Sequence, residues 1–338
     1  MVVSCYRQED FLPRTVAALE RALGDRDWQG AIVLAAPGGP LPALSPRWHA
    51  LAPPGHPPGT SAPLTPGAAR MAGCATCGGE WVLFADADVE VESAWVLRAI
   101  TAAEVAAETG AALAGIGGRL EEWFMDERSE RQGSFDLLKV GRDERRVDYL
   151  TTPALYRREA LLGAGGYDVR LSSEEDFELG LRMRRESHEL RSLGMLAGRH
   201  WSAPRPSFRE LSRRWQTGLC FGQGQVLRLY LGRPGFGTLL RRQWLYVAAL
   251  GVWTLGLVAV TVWLTSGDAR ALALWALVPL VGLALMTLRK RSPRLALHSL
   301  LTWSLNGFGM LVGLFRLPPA ARAAVPGLRA PGAGGAAC

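Results

Sequence analysis

Three uncharged apolar blocks close the sequence, and they constrain its fold more than any other feature. Trp244–Thr265 runs 22 residues without a charge, Ala271–Leu288 runs 18 and Leu295–Phe315 runs 21. A helix crosses the hydrocarbon core with about 20 apolar residues, so the first and third blocks are long enough and the second is marginal. A soluble core buries one such block readily; three in succession read as membrane helices. Charged residues crowd the first 242 positions instead. The chain of 338 residues therefore divides into a polar N-terminal part and a membrane region, in keeping with roughly two domains.

Flanking charge sets the orientation. Arg241 and Arg242 precede the first block, and Arg289, Lys290, Arg291 and Arg294 separate the second from the third. The connection Ser266–Arg270 carries one Asp and one Arg. The positive-inside rule then places residues 1–242 on the cytoplasmic side of a cell membrane and the short connection outside. A third full span would put Arg316, Arg322 and Arg329 outside, against the rule, so the third block is either a span or a re-entrant or interfacial segment. His298 and Asn306 within it call for a protein-facing side. Met1–Tyr6 has neither a basic region nor a long apolar core, so it does not read as a signal peptide. Five cysteines fit a reducing compartment, and Cys74-Ala-Thr-Cys77 lacks the second pair that a structural zinc needs. The net charge of +7 comes largely from arginines near the membrane, which favours anionic lipid over nucleic acid as a partner.

The polar part alternates strand and helix. Val2–Tyr6 reads as a strand, Glu9–Leu23 as an amphipathic helix, Ala31–Ala36 as a strand, Gly67–Gly78 as a helix, Trp81–Ala85 as a strand and Ser93–Glu108 as a helix. Residues 37–67, with ten prolines, read as an irregular loop. This is a doubly wound α/β pattern, in which ligands bind beyond the carboxyl ends of the strands. The run W-V-L-F-A-D-A-D-V stops there on Asp86 and Asp88, two acids suited to a divalent cation carrying phosphate oxygens. An ordinary acidic turn would read the same way. Further along, Ser172 and Glu175 have capping-box spacing, and acids in a first helical turn stabilise a helix by themselves. Four acids in the five residues 174–178 exceed what a cap requires, and a carboxylate there suits a general base.

With these pieces in hand, residues 1 to about 230 resemble the family 2 glycosyltransferases, and most closely the members with C-terminal membrane helices that build exopolysaccharide or glycolipid in the cell envelope. Val2-Val3-Ser4-Cys5-Tyr6-Arg7-Gln8-Glu9 matches the opening strand and nucleotide-contacting turn, and Ala68-Ala69-Arg70-Met71-Ala72-Gly73 resembles a helix start. Asp86-Ala87-Asp88 matches the Asp-x-Asp, and Tyr156-Arg157-Arg158-Glu159-Ala160-Leu161 through Gly165-Gly166-Tyr167-Asp168 resembles an acceptor-side loop. Glu175-Asp176-Phe177-Glu178-Leu179 with Arg182 matches the Glu-Asp motif.

The resemblance implies an inverting enzyme with the glycosyltransferase A fold, a nucleotide-sugar-binding α/β domain followed by transmembrane helices. It implies that Ser4, Tyr6, Glu9, Arg70 and Asp86 contact the donor. Asp88, with Asp86 and His200, would hold Mg²⁺ or Mn²⁺. Asp176 would act as the base with Glu175 beside it. Gly165, Gly166 and Tyr167 would face the acceptor, as would Arg213, Arg214 and Trp215, which read equally as an interfacial helix meeting lipid phosphates. His200 has a structural reading of its own. The implied donor is a nucleotide sugar and the implied acceptor a lipid-linked or membrane glycan. The domains would be a cytosolic catalytic unit at 1–198, juxtamembrane helices at 199–242, two or three spans over 243–316 and a disordered tail at 317–338. Leu34-Ala35-Ala36-Pro37-Gly38-Gly39 holds no acid where relatives read the base, so the sequence leaves the base unnamed. Two other classes fit paired acids on such a sheet: a nucleotidyltransferase, and a non-catalytic membrane scaffold that binds a sugar nucleotide.

Overall fold

The computed structural model describes residues 1–6, 8, 10–36, 43–51, 64–125, 130–202 and 207–317. It divides into two compact units, Met1–Ala203 and Pro204–Leu317.

The first unit opens with β1 (Val2–Tyr6), α1 (Leu12–Leu23), β2 (Gly30–Ala36), β3 (Trp48–Leu51), α2 (Pro66–Thr76), β4 (Trp81–Asp86), β5 (Val89–Val91) and α3 (Ser93–Thr109). It continues with β6 (Leu113–Met125), β7 (Glu130–Gln132), β8 (Arg145–Arg146), β9 (Ala154–Arg157), α4 (Arg158–Gly163), α5 (Glu175–Arg185) and β10 (Glu189–Ser202). The strands form one sheet in the order β3-β2-β1-β4-β9-β6-β10-β5, with β7 on β6 and β8 on β10. β3, β2, β1 and β4 run parallel, as do β6 and β10, but β9 lies antiparallel between β4 and β6. The sheet is thus mixed rather than wholly parallel. Layered α/β architecture is retained because both faces are buried. Alternate residues of one strand serve opposite cores: Leu83 and Ala85 join Leu12, Leu19 and Trp95, while Val82 and Phe84 join Tyr156, Tyr167 and Leu179.

Several elements differ from the sequence reading. α1 starts at Leu12 rather than Glu9, with Pro13 in its first turn, where a missing N–H costs nothing. The proline-rich stretch contains the edge strand β3, pinned by Trp48, which is 6% exposed and meets Trp28 edge-on at 5.5 Å. The capping box is absent: the residue capping α5 is Glu174, left-handed at φ 68°, without a side-chain cap bond. Thr65 does cap α2, accepting from Ala68 N at 3.1 Å while donating to the Val169 carbonyl at 2.7 Å. Arg158 closes the other end of α2, donating to the carbonyls of Cys74 and Cys77, both buried.

The second unit comprises α6 (Phe208–Gln216), α7 (Gly222–Leu229), α8 (Phe236–Arg242), α9 (Trp244–Ser266), α10 (Arg270–Lys290) and α11 (Pro293–Phe315). The last three are long and apolar enough to cross a membrane. None of the most apolar stretch of α10 is buried, against 33% of that of α11. α9 and α10 pack where Gly256 admits the Trp275 ring, whose Nε1 donates to the Val252 carbonyl at 2.7 Å. α11 seats α7 through glycine: a Cβ on Gly309 would lie 2.4 Å from the Cys220 carbonyl oxygen, and one on Gly313 would lie 2.0 Å from that of Phe221.

Candidate active site

β1 and β4 pair in register at Ser4 and Asp86, and Ala87 N donates to the Ser4 carbonyl at 2.9 Å. The strand ends therefore bring the first and third sequence motifs together. Ser4 Oγ donates to Asp86 Oδ1 at 2.7 Å, and Thr152 donates to Asp86 Oδ2. Arg70, rising from α2, completes the group. Its guanidinium meets Asp86 at 3.2 Å, Glu175 at 2.8 Å and Asp176 at 3.0 Å, with the Tyr167 ring stacked 5.1 Å away.

Arg70, expected as a donor contact, is 3% exposed and directs Nη1 and Nη2 to three carboxylates of the protein, so it draws the site's acids together. Ser4 is turned to Asp86, and both oxygens of Asp86 are held by Arg70, Ser4 and Thr152. Tyr167, expected on the acceptor side, is a 2% exposed platform under Arg70. Tyr6 ends β1, half-buried, with its N–H toward Gln8 Oε1 at 3.3 Å. Glu9 lies outside the described residues.

One cation against three carboxylates leaves negative charge in excess, and this excess governs protonation. Burial raises the Asp86 carboxyl, but Arg70 and the Thr152 and Ser4 hydroxyls more than offset it and hold Asp86 below its ordinary value. Burial raises Asp176 to about 8: Arg70 opposes it, while Glu175, Asp86 and Glu174 add repulsion. Glu175 is raised by burial too, against the pull of Arg70. Protons therefore leave this pair late, as steps belonging to the pair. A carboxyl poised near 8 is suited to accept a proton during turnover near neutrality.

A second acidic point lies at Asp88. His200, at the end of β10, brings Nε2 to 3.5 Å from Asp88 Oδ2, and its Nδ1 lies 2.9 Å from Ser202 Oγ. Gln8 donates to the same Asp88 oxygen. Burial opposes the imidazolium, yet the bond and charge of Asp88 carry the His200 pKa above its usual value. Among the described residues no cluster of three or more His, Cys, Asp and Glu side chains stands ready for a metal ion. An acid plus an imidazole nonetheless suits a cation that takes its remaining ligands from phosphate and water.

Gly165 and Gly166 form a left-handed turn, at φ 85° and 66°, held to α5 by Arg182, which donates to the Gly166 carbonyl at 2.6 Å. Glu178 fixes Arg182 at 2.6 Å. Arg213, Arg214 and Trp215 belong to the second unit, on α6, where Arg213 pairs with Glu210 at 2.6 Å and Trp215 packs on Phe221 at 5.4 Å. Sequence reasoning missed Gln8 and Thr152. Neither is acidic, and the only signal for Thr152 is its place in Thr151-Thr152-Pro153, at the start of a strand that crosses beside β4.

Residues 61–163, which hold α2, β4 and the Asp-Ala-Asp, match the family described as glycosyl transferase family 2. Over those residues the chain resembles a family 2 glycosyl transferase. No curated protein matches the chain. Among solved structures it is similar to S. aureus TarS 1-349 in complex with UDP-GlcNAc, with 15% identity over 64% of this chain and 63% of that chain and a TM-score of 0.43. It is also similar to GalNAc-T7 with UDP, GalNAc and Mn²⁺, with 12% identity over 67% of this chain and 50% of that chain and a TM-score of 0.41. The chain thus spans less than two thirds of the length of either. The family match ends at Gly163, so Glu175, Asp176 and His200 enter the site through the fold alone.

Proposed function

We propose that this protein transfers a sugar from a nucleotide-sugar donor to a hydroxyl of a membrane-held, lipid-linked acceptor, with inversion at the anomeric carbon. The observation that carries this reading is the convergence of Asp86, Glu175 and Asp176 on Arg70 at the strand ends, beside the stretch that matches family 2. In this reading the acceptor oxygen forms its bond to the anomeric carbon as the bond from that carbon to the diphosphate breaks. Its proton passes to the Asp176 carboxylate, and the nucleoside diphosphate leaves. Glu175 and Arg70 keep the base in place and set its proton affinity. Asp86 holds Arg70 and presents what remains of its surface, 31% of the side chain, to the donor.

Asp88 and His200 are the residues that would hold Mg²⁺ or Mn²⁺, which offsets charge on a departing diphosphate when bound. Ser202 fixes the ring nitrogen of His200 that faces away from Asp88, the usual support of a ligating imidazole. The apolar helices support action at the cytoplasmic face of a membrane, where a tethered acceptor is found by lateral rather than free diffusion.

The test is release of nucleoside diphosphate by detergent-purified protein from a panel of nucleotide sugars, with Mn²⁺ or with EDTA. Metal-dependent release from one donor is expected, and it names that donor. Pyrophosphate as the product would replace the proposal with nucleotidyl transfer. Calorimetric binding of a donor, without turnover when acceptor lipid extract is added, would overturn it in favour of a binding scaffold.

A further inference from the structure

α11 has the length and apolarity to cross a bilayer, yet most of its polar contacts are with segments outside the α9–α10 hairpin or at its open end. Near its start, Lys290 Nζ at the end of α10 donates to Ser299 Oγ at 2.6 Å. One turn in, His298 Nε2 lies 3.3 Å from the Ser207 carbonyl oxygen that opens α6. At its middle, Asn306 Oδ1 accepts from Gln223 Nε2 at 3.4 Å, and the Gln223 carbonyl accepts from Gln243 Nε2 at 3.4 Å. Gln243 is the residue before α9. A Cβ on the adjacent Gly307 would lie 2.9 Å from the Tyr246 carbonyl, in the first turn of α9. At the far end, Gln225 and Arg228 of α7 donate to the carbonyls of Arg316 and Leu314, each at 2.9 Å.

Trp253, ten residues into α9, also donates to Ser304 Oγ at 2.9 Å and meets the Phe308 ring at 6.3 Å. Start, middle and end of α11 therefore contact the end of α10, the first half of α9, or the segments that precede α9. All of these lie in or before the half of α9 that adjoins Arg241–Arg242. A 23-residue helix standing across the bilayer separates its ends by about 35 Å. Upright, α11 would pull α7, with Gln223, Gln225 and Arg228, through the hydrocarbon toward the opposite face, a costly burial of polar and charged groups. Lying flat, it leaves them at the surface.

We propose that α11 is an in-plane helix at the membrane surface and that the α9–α10 hairpin alone spans. Leu297, Leu301, Phe308, Leu311 and Phe315 are exposed and fall on one helical face, which continues the lipid-facing surface of α9 and α10 and is submerged among acyl chains. The opposite face carries Asn306, Gly309 and Gly313 and is covered by α7. The proposal returns the segment after α11, with Arg322 and Arg329, to the side that holds residues 1–242, and removes its conflict with the positive-inside rule.

It rests on membrane insertion and not on glycosyl transfer, so the experiment separates the two. Full-length protein with Cys338→Ser, leaving the four buried cysteines in place, receives Asp25→Cys, Asp268→Cys or Arg322→Cys, and sealed vesicles are treated with a membrane-impermeant maleimide. Positions 25 and 322 are expected to label from one face and position 268 from the other. Labelling of 322 from the face that labels 268 would overturn the proposal, because α11 would then cross. Labelling of 25 and 268 from the same face would show that the hairpin does not cross, and the membrane reading would fall with the proposal.

Discussion

Burial raises the Asp176 carboxyl, held against Arg70 and Glu175, to about 8, and its proton acts on both rate and stability. As the base it must be ionised, so kcat/KM is expected to climb with pH and level off above about 8, a profile read from initial rates at low donor concentration. Stability moves the opposite way. Between the ordinary carboxyl range and 8 the folded chain keeps a proton that the unfolded chain has released, so this group's contribution is full at low pH and is lost as pH rises through that window. Asp176→Asn removes both effects. Turnover should fall by about 100-fold or more while calorimetric donor affinity holds, and thermal melts in detergent should lose less between pH 6 and pH 9 than the parent protein. Near-parental turnover would refute the base assignment. Arg70→Met is expected to cost about 3–5 kcal/mol by leaving three carboxylates without their cation, with Arg70→Met/Asp176→Asn less damaging than the two changes summed.

Elements were legible wherever one periodicity ran unbroken. β1 and β4 stand out as apolar runs and α1 as an amphipathic stripe, and the acids at the strand ends could be located from them. β6 could not be read. Gly117 and Gly118 interrupt it, and Arg119, Glu121 and Glu122 look like surface although all three are buried. Arg70 was visible as a motif residue, but its contacts were not, because its partners at 86, 175 and 176 converge only through the sheet. The α7–α11 seat has the same character: glycines scattered in an apolar block become meaningful only against another backbone. A side chain at Gly313 would strike the Phe221 carbonyl, whereas Leu301 faces outward. Gly313→Leu should therefore unseat α7, seen as a lower melting temperature in detergent and faster proteolysis between α7 and α8. Leu301→Ala should change neither.

The whole molecule is two compact units, each with its own interior. Residues 1–203 expressed alone are expected to melt cooperatively and bind the donor with parental affinity, because every partner of Arg70 and of Asp88 described above lies within them. A non-cooperative melt would show that the first unit needs the second. The reach of Arg70 across the sequence also sets an order of events on the ribosome. The cluster cannot close until Asp176 has been made, and Trp244 follows it by roughly three to thirteen seconds at ordinary rates of synthesis. The residues of the charged centre are therefore all made before the first apolar helix, and its closing does not wait on that helix.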